Sequence, residues 1–239
     1  MDETRLLSEI IPEIEKVRGS YQDALDRRLR ALDMFEAKPI PDTLQSYRPQ
    51  IEAYLNKQLT HDLCRRQIVK LALLLRDSGT ETAVQITNRL RLGRKAAQMM
   101  RCLVENRLYL MDSMDRDQIP RSSMTYFLRD TRDDWLGVLL ISYANIRSSG
   151  KTIHQTDAPP IVEAALKQIA DFYYNKFALI MEHGRLITGD DILETFGTIS
   201  GIEIGRILQH IEDLQFEGEI ETPEEALEAA RRFLQNNGM

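Results

Sequence analysis

Apolar residues recur three and four positions apart in nearly every segment of this chain, which is the spacing of one face of an α-helix. Leu7, Ile10, Ile11 and Ile14 share a face. Tyr21, Leu25, Leu29 and Leu32 form a second stripe, ended by Lys38-Pro39-Ile40-Pro41. The same spacing predicts helices at about 44–58, 61–76, 80–90, 93–108, 121–131, 134–147 and 160–183. Val162, Leu166, Ile169, Tyr173, Phe177 and Ile180 stripe the last of these. Residues 68–75 are apolar all round, which predicts a central buried helix. No segment alternates with the two-residue period of a half-buried strand. The expected fold is all-α, a multi-helix array with no significant sheet. Its expected parts are residues 1–110 and 120–239, separated by the polar stretch 112–120.

The end of the chain carries the clearest local signals. Thr188 followed by Asp191 has the form of a capping box before Ile192-Leu193. Thr222-Pro223-Glu224-Glu225 places a Thr cap before Pro and Glu at favoured first-turn positions. Between them Ile204, Ile207, Leu208, Ile211 and Leu214 mark a helix at about 202–216.

Several function classes are disfavoured at this level. The longest apolar runs, such as 71–75 and 138–141, fall far short of the roughly 20 residues of a membrane helix. Asp2 and Glu3 open the chain with no apolar segment behind them, so no signal peptide is expected. Cys64 and Cys102 lie far apart and read as small buried residues of a reducing compartment, so a cytoplasmic protein is expected. His61-Asp62 has the form of a metal-phosphohydrolase pair, but such a site needs further converging ligands, and the other histidines are His154, His183 and His210. The expected reading is a helix capped by Thr60, with His61 and Asp62 in its first turn. Neither cysteine has a visible His partner, and no nucleophile elbow or phosphate-binding loop occurs. Asp130 and Asp133-Asp134 lack the Gly-Ser turn of a nucleotidyl-transfer site and read as caps and solvated charge. No catalytic and no metal site is expected in this chain.

Charge is unevenly placed. The net charge is −6, which by itself argues against a nucleic-acid partner. Between Arg65 and Arg107, however, ten basic residues face three acidic ones, a local +7 that leaves −13 for the rest. Such asymmetry can place a basic face on an acidic protein. Arg89, Arg91, Arg94 and Lys95 cluster around Gly93 at a helix–helix junction, where long side chains fan outward. These are the first candidate contacts for a nucleic-acid backbone, with solvated helix surface as the competing reading.

Three ordered pieces of the last third carry a family resemblance. They are Arg185-Leu186-Ile187-Thr188-Gly189-Asp190-Asp191-Ile192-Leu193, then Gly201-Ile202-Glu203-Ile204-Gly205-Arg206-Ile207-Leu208, then Gly218-Glu219-Ile220-Glu221-Thr222-Pro223-Glu224-Glu225-Ala226-Leu227. Order and spacing resemble the tail of bacterial tRNA nucleotidyltransferases, the CCA-adding enzymes, and of the related bacterial poly(A) polymerases. Upstream, Ile68-Val69-Lys70-Leu71-Ala72-Leu73-Leu74-Leu75-Arg76-Asp77 is similar to the HD region of many members. Leu6 to Glu13, Asn88 to Leu92 and Tyr126 to Asp130 also fit, so the resemblance spans nearly the whole chain.

The departures bear on function. Arg76 stands where the HD region has its metal-binding His, and Arg27 and Arg28 fall about where an upstream His is expected. Arginine cannot ligate a divalent metal, so the resemblance implies a degenerate HD region. The sequence contains nothing like the family's catalytic head. ATP, CTP and Mg would belong to that head, and no cofactor is expected in this chain. The resemblance implies the body and tail that hold the acceptor and TΨC stem of tRNA, or another structured RNA, as an excised portion or a split subunit working with a head in cis or in trans. The choice between CCA, partial CCA and poly(A) addition lies in the head. Gly201, Gly205 and Arg206, at the start of the 202–216 helix, are the second group of candidate RNA contacts, because a helix N-terminus offers unpaired N–H groups to a phosphate. The competing expectation is a metal-free, degenerate HD-type helical scaffold that binds protein.

Overall fold

The computed structural model describes residues 6–13, 22–113, 118–148 and 160–236. Ile14, Tyr21 and His154 lie outside them. The helices in chain order are α1 Leu6–Ile10, α2 Gln22–Ala37, α3 Arg48–Asn56, α4 Arg65–Leu75, α5 Thr80–Arg89, α6 Arg94–Glu105 and α7 Tyr109–Ser113. They continue as α8 Arg121–Thr131, α9 Trp135–Ser148, α10 Pro160–Phe172, α11 Ala178–His183, α12 Gly189–Phe196, α13 Gly201–Glu217 and α14 Pro223–Asn236. The all-α expectation holds, with one small exception. Strands β1 Gln58–Thr60 and β2 Leu63–Cys64 pair antiparallel in a minimal hairpin.

The chain divides into two compact units, and the boundary is not at 110–120. One unit takes residues 1–118 and 130–167, the other 119–129 and 168–239. The physical reason for the return of 130–167 is α9. Residues 135–144 are buried without a break, so the helix has no polar face to offer water. In the first unit α2, α3, α4, α6 and α7 all pack on it. Gly137 makes part of this possible. A Cβ there would collide with Tyr54 Oη and come within 2.8 Å of Leu103 Cδ2, so α3 and α6 approach the bare backbone of α9.

Helix α4 is central but not apolar on every side. Ile68, Val69, Ala72, Leu73 and Leu75 are buried, whereas Leu71 and Leu74 are half-buried. It also starts later than residue 61. The Arg65 amide donates to the Lys57 carbonyl at 3.1 Å, closing the hairpin base immediately before the helix. His61 and Asp62 therefore sit at a hairpin tip, not in a capped first turn. The segment 44–58 is likewise split. A 3₁₀ turn at Asp42–Tyr47 precedes α3, which has Pro49 in its first turn. Proline has no N–H to continue a preceding helix, and this favours a fresh start.

In the second unit, Ile187, Ile192, Ile207, Ile211, Ile220, Ala226, Ala230 and Leu234 form one apolar cluster. The expected caps are in place. Thr188 Oγ1 accepts from the Asp191 amide, and Thr222 Oγ1 accepts from the Glu225 amide at 3.2 Å. The predicted helix at 160–183 runs through a π-helical turn at Tyr173–Phe177. The rings of Tyr173 and Phe177 stack there at 5.9 Å, and Phe177 stacks on Phe216 at 4.8 Å. Among the described residues no helix is long and apolar enough to cross a membrane.

The α4 packing makes a paired prediction. Leu73 is fully buried, so Leu73→Asp should cost about 3 kcal/mol or more by stranding a carboxylate in the core. Leu74→Asp, on the half-buried side, should cost markedly less. Denaturant midpoints of the two variants check this, and equal losses would contradict the placement of α4.

Candidate nucleic-acid interface

Most of the +7 between Arg65 and Arg107 is already spent on partners. Arg65 Nη1 donates to the Asp133 carbonyl at 2.6 Å and pairs with Asp134 at 3.1 Å, while its guanidinium stacks 4.6 Å from the Tyr54 ring centre. Arg66 pairs with Glu52 at 2.6 Å and Lys70 with Glu36 at 2.8 Å. Arg101 takes both oxygens of Glu81, at 2.5 and 3.2 Å. Arg107 donates to the Val104 carbonyl at 2.8 Å. Arg89 grips Glu13 at 2.6 and 2.9 Å and also donates to the Ile10 carbonyl. Arg89 therefore belongs to the α1 contact and is not one of the uncommitted cations.

With Arg76 set beside Asp77 at 3.5 Å, three cations remain. Arg91, Arg94 and Lys95 are exposed, and among the described residues no hydrogen bond or ion pair engages their side chains, although the Arg91 amide donates to the Asn88 carbonyl at 2.9 Å. They surround Gly93, which takes φ +94° at the α5–α6 junction, a conformation that favours glycine. Arg91 itself sits at φ 55°, an uncommon left-handed conformation for a residue with a Cβ, shared in this chain by Arg132. A groove of about 550 Å³ opens at this junction, lined among others by Asn88, Arg91, Gly93, Arg94, Gln98 and Arg101. Lys95 stands beside it, outside the lining. Sequence reasoning missed Asn88, Gln98 and Arg101. Their signal was helical spacing: Arg94, Gln98 and Arg101 lie at i, i+4 and i+7 on one face of α6, and Asn88 is three before Arg91.

The tail candidates have a different character. A Cβ built on Gly201 or Gly205 meets nothing within 4 Å, so neither glycine serves close packing. With the exposed Arg206 and Ile202, which is 75% exposed, they form a strip of uncovered helix surface. The N-terminus of α13 is already self-capped, however. Ser200 Oγ accepts from the Glu203 amide at 3.3 Å, and the Glu203 carboxylate accepts from the Ser200 amide and hydroxyl at 3.1 and 2.7 Å. The side-chain and backbone bonds from Ser200 hold the Glu203 carboxyl below the usual range. That anion at the helix start works against a phosphate there. A groove of about 790 Å³ further along this unit, lined by Glu219, Glu224, Glu225 and Glu228 with one arginine, Arg232, is still less suited to an anionic ligand.

Arg28, Arg76 and Asp77, at the positions the sequence resemblance compared with an HD metal site, do not fit a metal. Arg28 is fully buried on α2 and Arg76 is 2% exposed at the end of α4. Both turn Nε toward one oxygen of Asp77, at 2.9 and 3.5 Å. The sequence signal for Arg28 was its place between Leu25 and Leu32 on the buried stripe. His61 and Asp62 pair with each other at 2.7 Å, 97% and 92% exposed, with no further ligand. Among the described residues no group of three or more His, Cys, Asp or Glu is arranged to hold a metal ion. Cys64 and Cys102 are free and half-buried, less enclosed than expected. Burial, helped by Asp134 and Glu105, pushes the Cys102 thiol up to about 12, far from a reactive thiolate.

No family model matches the chain, and no curated protein matches it.

The Asp77 environment predicts a pH effect. Burial opposes ionisation, but the hydrogen bond from Arg28 and the charges of Arg76, Arg28 and Arg107 outweigh it and hold the carboxyl below its ordinary range. A group depressed on folding adds stability above its unfolded pKa, about 4, and loses that contribution as pH falls toward the folded value. Asp77→Asn should therefore lose less stability than the parent as pH drops below about 4. Denaturant titrations at a series of pH values measure this. Superimposable acid limbs would contradict the pairing.

Proposed function

We propose that this chain is an RNA-holding module, the body and tail of a tRNA nucleotidyltransferase or poly(A) polymerase-like protein, and that it grips the acceptor and TΨC stem through phosphates. In this reading nucleotidyl transfer belongs to a head acting in cis or in trans. The observation that carries the reading is the set of uncommitted cations at Gly93. In a stretch where arginine and lysine side chains are otherwise held by carboxylates and carbonyls, Arg91, Arg94 and Lys95 are exposed at or beside a groove. An exposed, unpartnered guanidinium can form bidentate bonds to a phosphate without first giving up an internal partner. The flanking Asn88 and Gln98 offer amide groups suited to sugar hydroxyls. The ordered motifs of the last third support a second point of approach for an RNA backbone, along the bare surface at Gly205 and Arg206 beyond the self-capped start of α13.

Phosphate contacts release counterions and carry little sequence information. The double variant Arg91→Glu, Lys95→Glu should therefore weaken all tRNA acceptor-stem minihelices about equally. It should also reduce the slope of log affinity against log salt by about two. Arg89→Ala, which removes a residue already held by Glu13, should change affinity little. Fluorescence anisotropy across a salt series reads all three. Parent-like binding by the double variant, with a normal melt, would sink the proposal in favour of a protein-binding scaffold.

A further inference from the structure

The buried cluster at the α2–α4 contact has more cationic donors than acceptors. Arg28 is fully buried, yet its Nη1 and Nη2 have no hydrogen-bond partner. Arg76 leaves Nε and Nη1 without a hydrogen-bond partner, its Nη2 reaches Ser148 Oγ only at 3.5 Å, and the Ser78 hydroxyl is also buried and unpartnered. Against these groups stands, among the described residues, one carboxylate, Asp77, whose Oδ2 is approached by both Nε atoms. The cluster carries two buried positive charges and one negative charge, and Arg27 and Arg107 add further positive charge nearby. Guanidinium does not give up its proton near neutral pH, so the imbalance persists. An uncompensated buried charge is strongly destabilising, and a neutral water would satisfy donors without cancelling it.

We propose that Arg28, Arg76 and Ser78 form a seat for a phosphoryl oxyanion, either inorganic phosphate or the terminal phosphate of a small phosphorylated ligand, with Asp77 as its internal competitor. A tetrahedral oxyanion presents acceptors in several directions and can meet two guanidinium forks and a hydroxyl at once, whereas the planar Asp77 carboxylate accepts a hydrogen bond only from Arg28 Nε and meets Arg76 Nε as an ion pair at 3.5 Å. Asp77 also supplies the route in. Its side chain is 47% exposed, so rotation toward solvent uncovers the donors behind it. The seat shares no residue with the groove at Gly93, so it stands or falls independently of the RNA proposal.

The test is thermal melting and calorimetric titration of the whole chain with phosphate, pyrophosphate or ATP, against chloride at matched ionic strength. Phosphate should raise Tm by a few degrees beyond chloride, as expected for a ligand that binds only the folded state. Asp77→Asn should bind roughly tenfold tighter because the competing charge is gone, a shift of about 1.4 kcal/mol. Arg76→Met should lose the phosphate-specific increment, and the Arg91→Glu, Lys95→Glu variant should keep it. Equal responses to phosphate, pyrophosphate and ATP would assign the seat to terminal phosphoryl groups generally, and a response to phosphate alone to the free anion; both support it. No increment over chloride, weaker binding by Asp77→Asn, an increment retained by Arg76→Met, or one lost with the Gly93 groove variant would each overturn it. Should Arg76→Met fail to fold, the Asp77→Asn titration decides.

Discussion

Helix α9 has to be covered on every side. With residues 135–144 continuously buried, its stability depends on neighbours that present apolar surface from several directions, and α2, α3, α4, α6 and α7 supply it. The order of the first unit follows from that requirement. Gly137 lets Tyr54 and Leu103 reach the α9 backbone, and so fixes how closely α3 and α6 approach. Once α6 is held, its N-terminal junction with α5 is held too. Arg91, Arg94 and Lys95 therefore project from the junction of two helices that pack on each other.

Helix periodicity, caps and the terminal helices were legible in the sequence because each depends on residues within a few positions of one another. Thr188 with Asp191 and Thr222 with Glu225 are local pairs, and their geometry follows from local bonding. The hairpin at Gln58–Cys64 was not legible. It is only two short strands, its residues fit a helical stripe, and it abuts the Gly93 junction, where Thr60 Cγ2 lies 3.6 Å from a Gly93 Cβ position. The unit boundary was also illegible, because the need to surround α9 is a tertiary demand that no local pattern states. The π-turn at Tyr173–Phe177 sits inside an unbroken apolar stripe and leaves no local mark.

The candidate site was partly legible for the same reason. Composition located an excess of basic residues but could not say which were committed. Commitment depends on partners far along the chain, such as Glu13 for Arg89 and Glu81 for Arg101, 76 and 20 residues away. Burial of Arg28 depends likewise on the path of α2 against α4. Charge counting alone treats Arg28, Arg89 and Arg91 as equivalent. The structure separates them into a buried cation, a paired cation and an exposed uncommitted one. These are three different chemical objects, and only the last is ready to meet a phosphate without rearrangement.

RNA is proposed to lie across the Gly93 junction of this chain. Hydrogen exchange with and without a minihelix carrying the acceptor and TΨC stems tests it most directly, since it reports every segment at once. The account predicts added protection at 88–101, with further protection at 201–206, and none over the glutamate-lined groove at 219–236. Protection confined to the glutamate-lined groove, or no change anywhere at saturating RNA, would contradict it.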